Sequence, residues 1–193
     1  MPFTIREEAP DLNLATLITS EGFVQPVSEH LREDVREHLA HGERLYSIHA
    51  HGQVAGFAIF NIWDSVLYLS GIMLKTEFQG RGIAERVVER VHTAVQAPYF
   101  ALRTQSLRMW CAGRRMVEEW YPHPEYSEIP DEFRTLGYAV ARRLGNDFPV
   151  SRGCYGSALY GLKPTCANSA LQEWWDQICD FERGDAIVCV GRF

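Results

Sequence analysis

Two glycines flank an arginine at the point where a predicted strand gives way to a predicted helix. Residues 79–82 read Gln-Gly-Arg-Gly, and they separate the apolar run 66–74 from an amphipathic stretch that ends before Pro98. The first amides of a helix have no acceptor within the helix, and the helix dipole adds partial positive charge beside them. Glycines also let a ligand approach the backbone closely. This arrangement predicts a turn that binds a diphosphate.

Two common diphosphate-binding turns do not match this segment. A P-loop has Gly-Lys-Ser or Gly-Lys-Thr after its glycines, and that sequence is absent here. A Rossmann turn has a third glycine where Glu85 stands, and an acidic residue about 20 positions later, where Gln105 and its neighbours supply none. The segment therefore belongs to neither class.

The elements around this turn alternate between strand and helix. Apolar alternation and continuous apolar runs predict strands, whereas apolar residues at three- and four-residue steps predict helices. Before residue 106 these patterns predict strands over 3–6, 45–50, 54–63, 66–74 and 99–104, and helices over 11–20, 27–40 and 82–95. This order predicts an α/β (α+β) fold, with a mixed, mostly antiparallel central sheet flanked by helices.

The pattern after residue 106 is less regular. It predicts a helix over 107–119 and then an irregular segment, because Pro122, Pro124 and Pro130 interrupt any regular element. A helix end closed by Gly137 follows. The remaining predicted elements are a hairpin of strands 138–144 and 155–162, a helix that begins with a capping box at Ser169, and a strand over 186–190.

The strand, turn and helix over residues 65–95 resemble the signature region of the GNAT superfamily of N-acetyltransferases. Gln79, Gly82 and Ala84 match its Gln/Arg-x-x-Gly-x-Gly/Ala core. The resemblance implies a GNAT-like acyl-CoA N-acyltransferase fold. It also implies acetyl-CoA, or another acyl-CoA, as co-substrate.

The same resemblance assigns individual residues to the cofactor. It implies that the amides of residues 79–85 hold the coenzyme A diphosphate, and that the backbone of residues 72–74 pairs with the pantetheine arm. Arg81 adds positive charge beside the phosphates. The Asn that often follows the fifth strand in the family is replaced here by Ser106. The predicted cofactor-binding residues are Ile72, Met73, Leu74, Gln79, Gly80, Arg81, Gly82, Ile83, Ala84, Glu85 and Ser106.

One catalytic feature of the family has no clear match. The family often supplies a tyrosine general acid in a Tyr-x-x-x-Gly-Phe stretch near the end of the helix after the fifth strand. The best match is residues 133–138, where Phe133 stands in the tyrosine position. A phenyl ring cannot protonate a thiolate, so the acid is either missing or supplied elsewhere. The long gap between Ser106 and Gly137 indicates an insertion over residues 107–130.

Three side chains in the proline-rich segment are candidates for proton transfer and acceptor contact. Transfer to an amine requires a deprotonated amine, a donor for the thioester oxyanion and a proton for the leaving thiolate. Tyr121 and His123 are the predicted catalytic residues, and Tyr126 is a further candidate. A solvent-exposed loop is the alternative interpretation of all three. An amide near Met73 or Leu74 is the predicted oxyanion donor.

These residues together predict an acyl-CoA-dependent N-acyltransferase. The predicted reaction moves acetyl from acetyl-CoA to a primary amine of a small molecule, by direct attack of the amine on the bound thioester. A non-catalytic acyl-CoA-binding sensor or scaffold is an alternative, because Phe133 occupies the acid position. A protein N-acetyltransferase is another.

Composition narrows the partners and the location. A net charge of −6 disfavours broad nucleic-acid binding, which requires a cationic surface. The five cysteines are odd in number and form no Cys-x-x-Cys pair, so we expect neither a disulfide framework nor a metal site. No apolar run reaches the roughly 20 residues that cross a bilayer, and the first residues lack the blocks of a signal peptide. A cytoplasmic protein is predicted.

The length of 193 residues suits one domain with an appended element. We predict an acyltransferase domain over residues 1–163 and a C-terminal helix–strand extension over 164–193, packed on the same domain. Trp174 and Trp175 give the extension's helix an aromatic face. That face is predicted to lie against either the parent sheet or a second copy in a homodimer.

Overall fold

The computed structural model of this protein describes residues 3–193 and has a mixed α/β fold. A mostly antiparallel sheet is flanked by helices, which confirms the predicted fold class. The chain divides into two compact units, one that extends to Gln96 and one that begins at Ala97.

The first unit is built on an antiparallel sheet. Its elements are β1 (Phe3–Glu7), α1 (Leu12–Phe23), α2 (Glu29–His41), β2 (Arg44–Ala50), β3 (Gln53–Trp63), β4 (Val66–Leu74), a 3-10 turn (Thr76–Phe78) and α3 (Ile83–Val95). The strands are neighbours in the order β1-β2-β3-β4, and every pair is antiparallel. Each element predicted before residue 96 is confirmed, with ends that shift by at most a few residues.

Helices α1 and α2 cover one face of β3. Asp11 caps α1 by accepting from the Leu14 amide at 3.0 Å, and Ser28 caps α2 by accepting from the Leu31 amide at 3.1 Å. Both helices place apolar residues toward the sheet, where burial of a large aliphatic side chain contributes about 1.5–3 kcal/mol. The core they share with β3 consists of Ala15, Ile18, Val35, Phe57 and Ile59.

Helix α3 buries a single stripe of residues. The stripe recurs at three- and four-residue steps and consists of Ile83, Val87, Val88 and Val91. At the other end of the helix Gln96 adopts a left-handed conformation, and its N–H donates to the His92 carbonyl at 2.6 Å. Because the stripe begins at the first helical residue, packing fixes where the helix starts.

The second unit places its last strand in the middle of its sheet. Its elements are β5 (Tyr99–Thr104), α4 (Leu107–Met116), β6 (Glu119–Tyr121), α5 (Asp131–Arg143), β7 (Val150–Ser151), α6 (Ser169–Ile178) and β8 (Ala186–Arg192). Strand β8 pairs antiparallel with β5 on one side and with β6 and β7 on the other. Its residues 186–190 are fully buried, as expected for a central strand.

The predicted late hairpin of strands 138–144 and 155–162 is wrong. Residues 131–143 form helix α5, and residues 155–162 form turns. Gly137 does not close a helix but lies inside α5. Glycine is needed there because a Cβ at this position would lie 2.3 Å from atoms of the Phe148 ring. Acidic residues in the first turn of α5 and arginines in its last turn complement the helix dipole.

The C-terminal helix and strand are confirmed, with one change at the cap. Asn168, not Ser169, caps α6, because its Oδ1 accepts from the Leu171 amide at 3.0 Å. Residues 164–193 thus supply the central strand of the second unit. The predicted boundary at residue 163 and the predicted insertion over 107–130 stay predictions; residues 107–121 contain α4 and β6. No helix within residues 3–193 is long and apolar enough to cross a membrane.

Candidate active site

The second half of β4 is distorted and more open than the first half. The pairing of β4 with β3 skips Ser70, because Leu69 and Gly71 face consecutive residues of β3. Such a β-bulge bends the strand. The residues of β4 before the bulge are buried, and those after it are half-buried. The half-buried part contains the three residues predicted to pair with pantetheine: Ile72, Met73 and Leu74.

Hydrogen bonds fix the segment that leads from β4 to the glycines. The Phe78 amide donates to the Lys75 carbonyl at 2.9 Å. Gln79 contributes two bonds, since its amide donates to the Thr76 carbonyl at 3.2 Å and its Nε2 donates to the Leu74 carbonyl at 2.9 Å. The side chain of Gln79 therefore has a structural role in this turn.

Gly80 and Gly82 both adopt left-handed backbone conformations, with φ of +69°. Side chains disfavour this region, so the turn requires glycine at both positions. Among residues 3–193, a Cβ built at Gly80 meets no atom within 4 Å, and one built at Gly82 meets only the Glu85 carboxylate, at 4.0 Å. The surface of the turn is therefore open to a ligand.

The N-terminus of α3 faces this turn. Gly82 is its N-cap residue, and no side chain in the described structure caps its amides. The amides of residues 83–85 lie in the first turn, where they have no acceptor within the helix. Arg81 is exposed, Ile83 is buried, and Ala84 and Glu85 are half-buried. The structure thus brings residues 79–85 together in an arrangement suited to an anion; their contact with a cofactor stays a prediction.

Ser106 lies in the second unit, where it caps α4. Its Oγ accepts from the Met109 amide at 3.4 Å, and its own amide donates to Thr104 Oγ1 at 2.9 Å. Ser106 is also hydrogen-bonded to the hydroxyl of Tyr160. Burial of that hydroxyl raises the pKa of Tyr160 above its ordinary value, so the phenol keeps its proton at neutral pH.

Gln105 holds the loop that carries Tyr160. Its Nε2 donates to the carbonyls of Phe181 and Asp185, both at 3.1 Å, and its Oε1 accepts from the Leu159 amide at 2.8 Å. The Gln105 side chain is buried, so these bonds are shielded from water. The position of Tyr160 against Ser106 is therefore fixed through its neighbour Leu159.

Tyr121 and His123 lie together in an aromatic group. The Tyr121 ring centroid is 4.6 Å from that of Phe133 and 5.7 Å from that of Tyr126. The His123 ring centroid is 5.2 Å from that of Tyr126 and 5.5 Å from that of Trp110. Tyr121 is only 6% exposed and Tyr126 is 57% exposed. An exposed loop therefore describes Tyr126 but is wrong for Tyr121.

Burial shifts both predicted catalytic groups away from their charged forms. It raises the pKa of Tyr121, and Glu119 and Tyr126 raise it further. It lowers the pKa of His123 despite the opposing effect of Glu125. The Glu125 amide donates to His123 Nδ1 at 3.2 Å, so the neutral imidazole carries its proton on Nε2. In this form His123 offers a hydrogen-bond donor.

The chain around this aromatic group is strongly acidic. Residues 118–132 contain six carboxylates and neither lysine nor arginine. Arg192 pairs with two of them, Glu119 at 3.3 Å and also Glu132. Carboxylates and aromatic faces both attract cations. Within residues 3–193, no group of three or more His, Cys, Asp or Glu side chains could hold a metal ion.

Phe133 does not lie near the end of the helix after β5, where the family pattern has its tyrosine, and the identity of the general acid stays a prediction. The helix that follows β5 is α4, which ends at Met116, whereas Phe133 lies in the first turn of α5. Phe133 is 1% exposed and packs against Tyr121, so its role is in the core. Sequence reasoning missed Tyr160 and Gln105, because their contacts join residues that are far apart in the chain. The strand predicted over 155–162 could not indicate them, because that segment forms turns.

The segment that contains β4, the glycine turn and α3 matches a known protein family. A family model described as the acetyltransferase (GNAT) family matches residues 13–110. No curated protein sequence matches the chain.

Solved structures share the fold at low sequence identity. The ribosomal-protein-S18-alanine N-acetyltransferase of Escherichia coli is 17% identical with a TM-score of 0.52, over 99% of this chain and 94% of that one. An acetyltransferase of Bacillus subtilis in complex with CoA is 10% identical with a TM-score of 0.52, over 100% and 99%. The IAA acetyltransferase of Bacillus cereus is 11% identical with a TM-score of 0.51, over 100% of both chains.

Proposed function

Because the chain belongs to the acetyltransferase (GNAT) family, we propose that it transfers acetyl from acetyl-CoA to a primary amine of a small molecule. The observation that carries the proposal is the open two-glycine turn at the N-terminus of α3, directly after a bulged strand. A helix N-terminus without a side-chain cap suits a diphosphate. The CoA-bound Bacillus subtilis structure, which shares the fold, supports coenzyme A as the ligand of this turn.

In the proposed cofactor site, the backbone does most of the binding. The amides of residues 79–85 hold the diphosphate, and Arg81 adds positive charge. The half-buried backbone of residues 72–74 binds the pantetheine arm. An amide near Met73 or Leu74 stabilises the oxyanion of the tetrahedral intermediate.

The proposed reaction is direct attack. The acceptor ammonium loses a proton to solvent, and the amine nitrogen attacks the thioester carbonyl carbon. The nitrogen, positively charged after the attack, releases a second proton to solvent, and the carbon–sulfur bond breaks, which gives a neutral N-acetyl product and the coenzyme A thiolate. The thiolate takes one proton to become the free thiol. Proximity of the two reactants supplies much of the acceleration.

We assign the proton for the thiolate to Tyr160. Its phenol is protonated at neutral pH, because burial raises its pKa. It is hydrogen-bonded to Ser106, which occupies the place of the cofactor-contacting Asn in the family pattern. Ser106 is itself a predicted cofactor-binding residue, which makes its hydrogen-bond partner Tyr160 the candidate acid.

We assign acceptor recognition to Tyr121 and His123. Their aromatic group lies in the acidic segment 118–132, and this combination favours a cationic amine. His123 offers a donor on Nε2 to an oxygen of the acceptor. Residues 107–130 thus set the acceptor, and not the cofactor.

The test is turnover of acetyl-CoA with a panel of amines, with the product detected by mass spectrometry. A thiol-reactive dye is unsuitable, because the protein has five cysteines of its own. The panel contains diamines, amino sugars, aromatic amines and peptides with free N-termini. Acetylation of a small amine supports the proposal, and acetylation of peptides alone indicates a protein N-acetyltransferase. Binding of CoA without any product indicates a non-catalytic module.

A further inference from the structure

Helix α1 ends directly against the strand that leads to the glycine turn. A Cβ added at Gly22 would lie 3.4 Å from Met73 Sδ and 3.9 Å from the Leu74 carbonyl oxygen. The helix end is closed by Val24, which adopts a left-handed conformation with φ of 54° and donates its N–H to the Glu21 carbonyl at 3.2 Å. This conformation is unfavourable for a β-branched residue, so the surrounding structure imposes it. The last turn of α1 is therefore held in a defined place beside β4.

From this helix end, Glu21 reaches the start of the cofactor turn. Its Oε1 accepts from the Thr76 amide at 2.6 Å, across 55 positions of the chain. Thr76 begins the 3-10 turn between β4 and the two glycines. A second side-chain bond to this segment is donated by Gln79 Nε2 to the Leu74 carbonyl. Glu21 and Gln79 thus hold the lead-in to Gly80 at its two ends.

The position of Glu21 is unfavourable for a negative charge. It lies in the last turn of α1, where the helix dipole favours a cation and no basic residue is present. It also lies close in space to a turn that is suited to an anion. The carboxylate is therefore not placed for its long-range charge. At this position the carboxylate instead accepts a hydrogen bond from a backbone amide, and such charge-assisted bonds are among the stronger hydrogen bonds in proteins.

We infer that Glu21 is a positioning residue for the coenzyme A turn, which it holds through the Thr76 amide. Without this bond, residues 76–79 lose their tether to α1, and the amides of residues 79–85 are no longer held in place for the diphosphate. The inference rests on the proposed function, because it takes the diphosphate of coenzyme A as the ligand of the turn. It adds a residue from a different helix to that site.

Three variants separate the hydrogen bond from the charge. Glu21→Ala removes both, and we expect the Kd for CoA to rise about fivefold. Glu21→Gln keeps an acceptor oxygen and removes the charge, so its Kd stays within about twofold of wild type. Glu77→Ala is the matched control, because Glu77 is exposed in the same 3-10 turn and has no part in the tether. It removes an equal charge and should leave the Kd unchanged or lower.

Truncated donors then distinguish positioning from general damage. Acetyl-CoA and its analogue without the ribose phosphate both carry the diphosphate, so Glu21→Ala should raise KM for both by the same factor. S-acetylpantetheine lacks the diphosphate, and its kcat/KM should be the same in Glu21→Ala and wild type. The kcat with saturating acetyl-CoA should also be unchanged. A merely structural role would lower kcat/KM for all three donors and the kcat together, and glutamine would not restore them.

Specific results overturn the inference. An unchanged Kd in Glu21→Ala, in a protein whose circular dichroism matches wild type, shows that the tether does not position the turn. An equal loss of CoA affinity in Glu21→Ala and Glu77→Ala shows that the charge, and not the hydrogen bond, is responsible for the effect. Gly82→Val is measured in parallel, because it tests the site itself. If Gly82→Val weakens CoA binding and Glu21→Ala does not, only the role of Glu21 fails; if neither does, the proposed cofactor site fails.

Discussion

Replacement of Gly82 by valine tests the cofactor turn directly. Gly82 has φ of 69° and ψ of 19°, and among residues 3–193 a Cβ there would have only the Glu85 carboxylate within about 4 Å, at 4.0 Å. The free protein therefore has room for the new side chain, and the cost to stability comes from the left-handed backbone alone. That cost is about 1–2 kcal/mol. The added carbons, however, project over the face of the turn that we assign to the diphosphate.

Loss of binding should exceed what backbone strain explains. We expect the CoA Kd of Gly82→Val to rise at least tenfold, which corresponds to about 1.4 kcal/mol of binding free energy. Gly52 is the matched control, since it has φ of +77° and, among the described residues, an added Cβ there meets nothing within 4 Å. It lies in the turn between β2 and β3. Gly52→Val should lose similar stability and keep its affinity for CoA.

The measurements are isothermal titration with CoA and urea unfolding followed by circular dichroism. Arg81→Ala should weaken binding less than Gly82→Val, because the amides remain and the lost charge is partly screened at an exposed site. CoA without its ribose phosphate should still bind wild type, whereas pantetheine should bind far more weakly. Equal CoA affinities in folded wild type and folded Gly82→Val would remove the turn from the cofactor site, and with it the main support for the proposed function.

Three further predictions concern the second unit. Tyr121→Phe and His123→Ala should change turnover or acceptor affinity in steady-state assays, since we assign both residues to the acceptor. The Kd for CoA should stay within about threefold of wild type. A large loss of CoA binding with unchanged acceptor kinetics would contradict this. Tyr160→Phe should lower kcat by about 100-fold with little change in the KM for acetyl-CoA. Because burial raises the pKa of Tyr160, loss of this proton should not reduce wild-type activity at any pH below about 10. Full activity in the variant would exclude the phenol as the acid. Asp185→Asn should cost about 1.5–3 kcal/mol in urea unfolding at pH 7, because the buried carboxylate binds the exposed Arg183 and the amides of Gly153 and Asp180. The hydrogen bond from Arg183 is the main reason that the pKa of Asp185 lies well below its usual range. This stability is therefore present above the unfolded pKa of about 3.9 and is lost as the pH falls below it. If the difference in free energy of unfolding between wild type and variant did not narrow in acid, the assignment would be contradicted.

The first unit could be predicted almost completely from the sequence. Its strands pair with neighbours in the chain, so local alternation and the hairpin breaks specify the sheet. The stripe of α3 has strict helical spacing, and the two glycines mark its start. The sequence did not indicate the β-bulge at Ser70, because a bulge depends on pairing with β3 and leaves no local pattern.

The second unit was harder to predict because long-range packing overrides local preference there. Residues 138–141 form an apolar run that favours a strand, yet residues 138–143 belong to α5 and Leu144 is its C-cap. Gly137 has the local character of a helix stop, but its small size serves the approach of the Phe148 ring. The central place of β8 follows from pairing with three strands that precede it by 35 or more positions, and no local pattern records this.

The same distinction separates the two parts of the proposed site. The proposed cofactor turn relies on backbone amides, whose positions depend on glycines and on a helix start within one short segment. A short motif is therefore enough to predict it. The side-chain bonds that support the proposed site join residues far apart in the chain, as Glu21 accepts from the Thr76 amide and Gln105 accepts from the Leu159 amide. Backbone binding tolerates change in most side chains, whereas the acceptor recognition that we propose for Tyr121 and His123 depends on the side chains themselves. A chain of this family can therefore keep its donor while the acceptor diverges, and for this reason the acceptor must be found by assay with the aromatic segment intact.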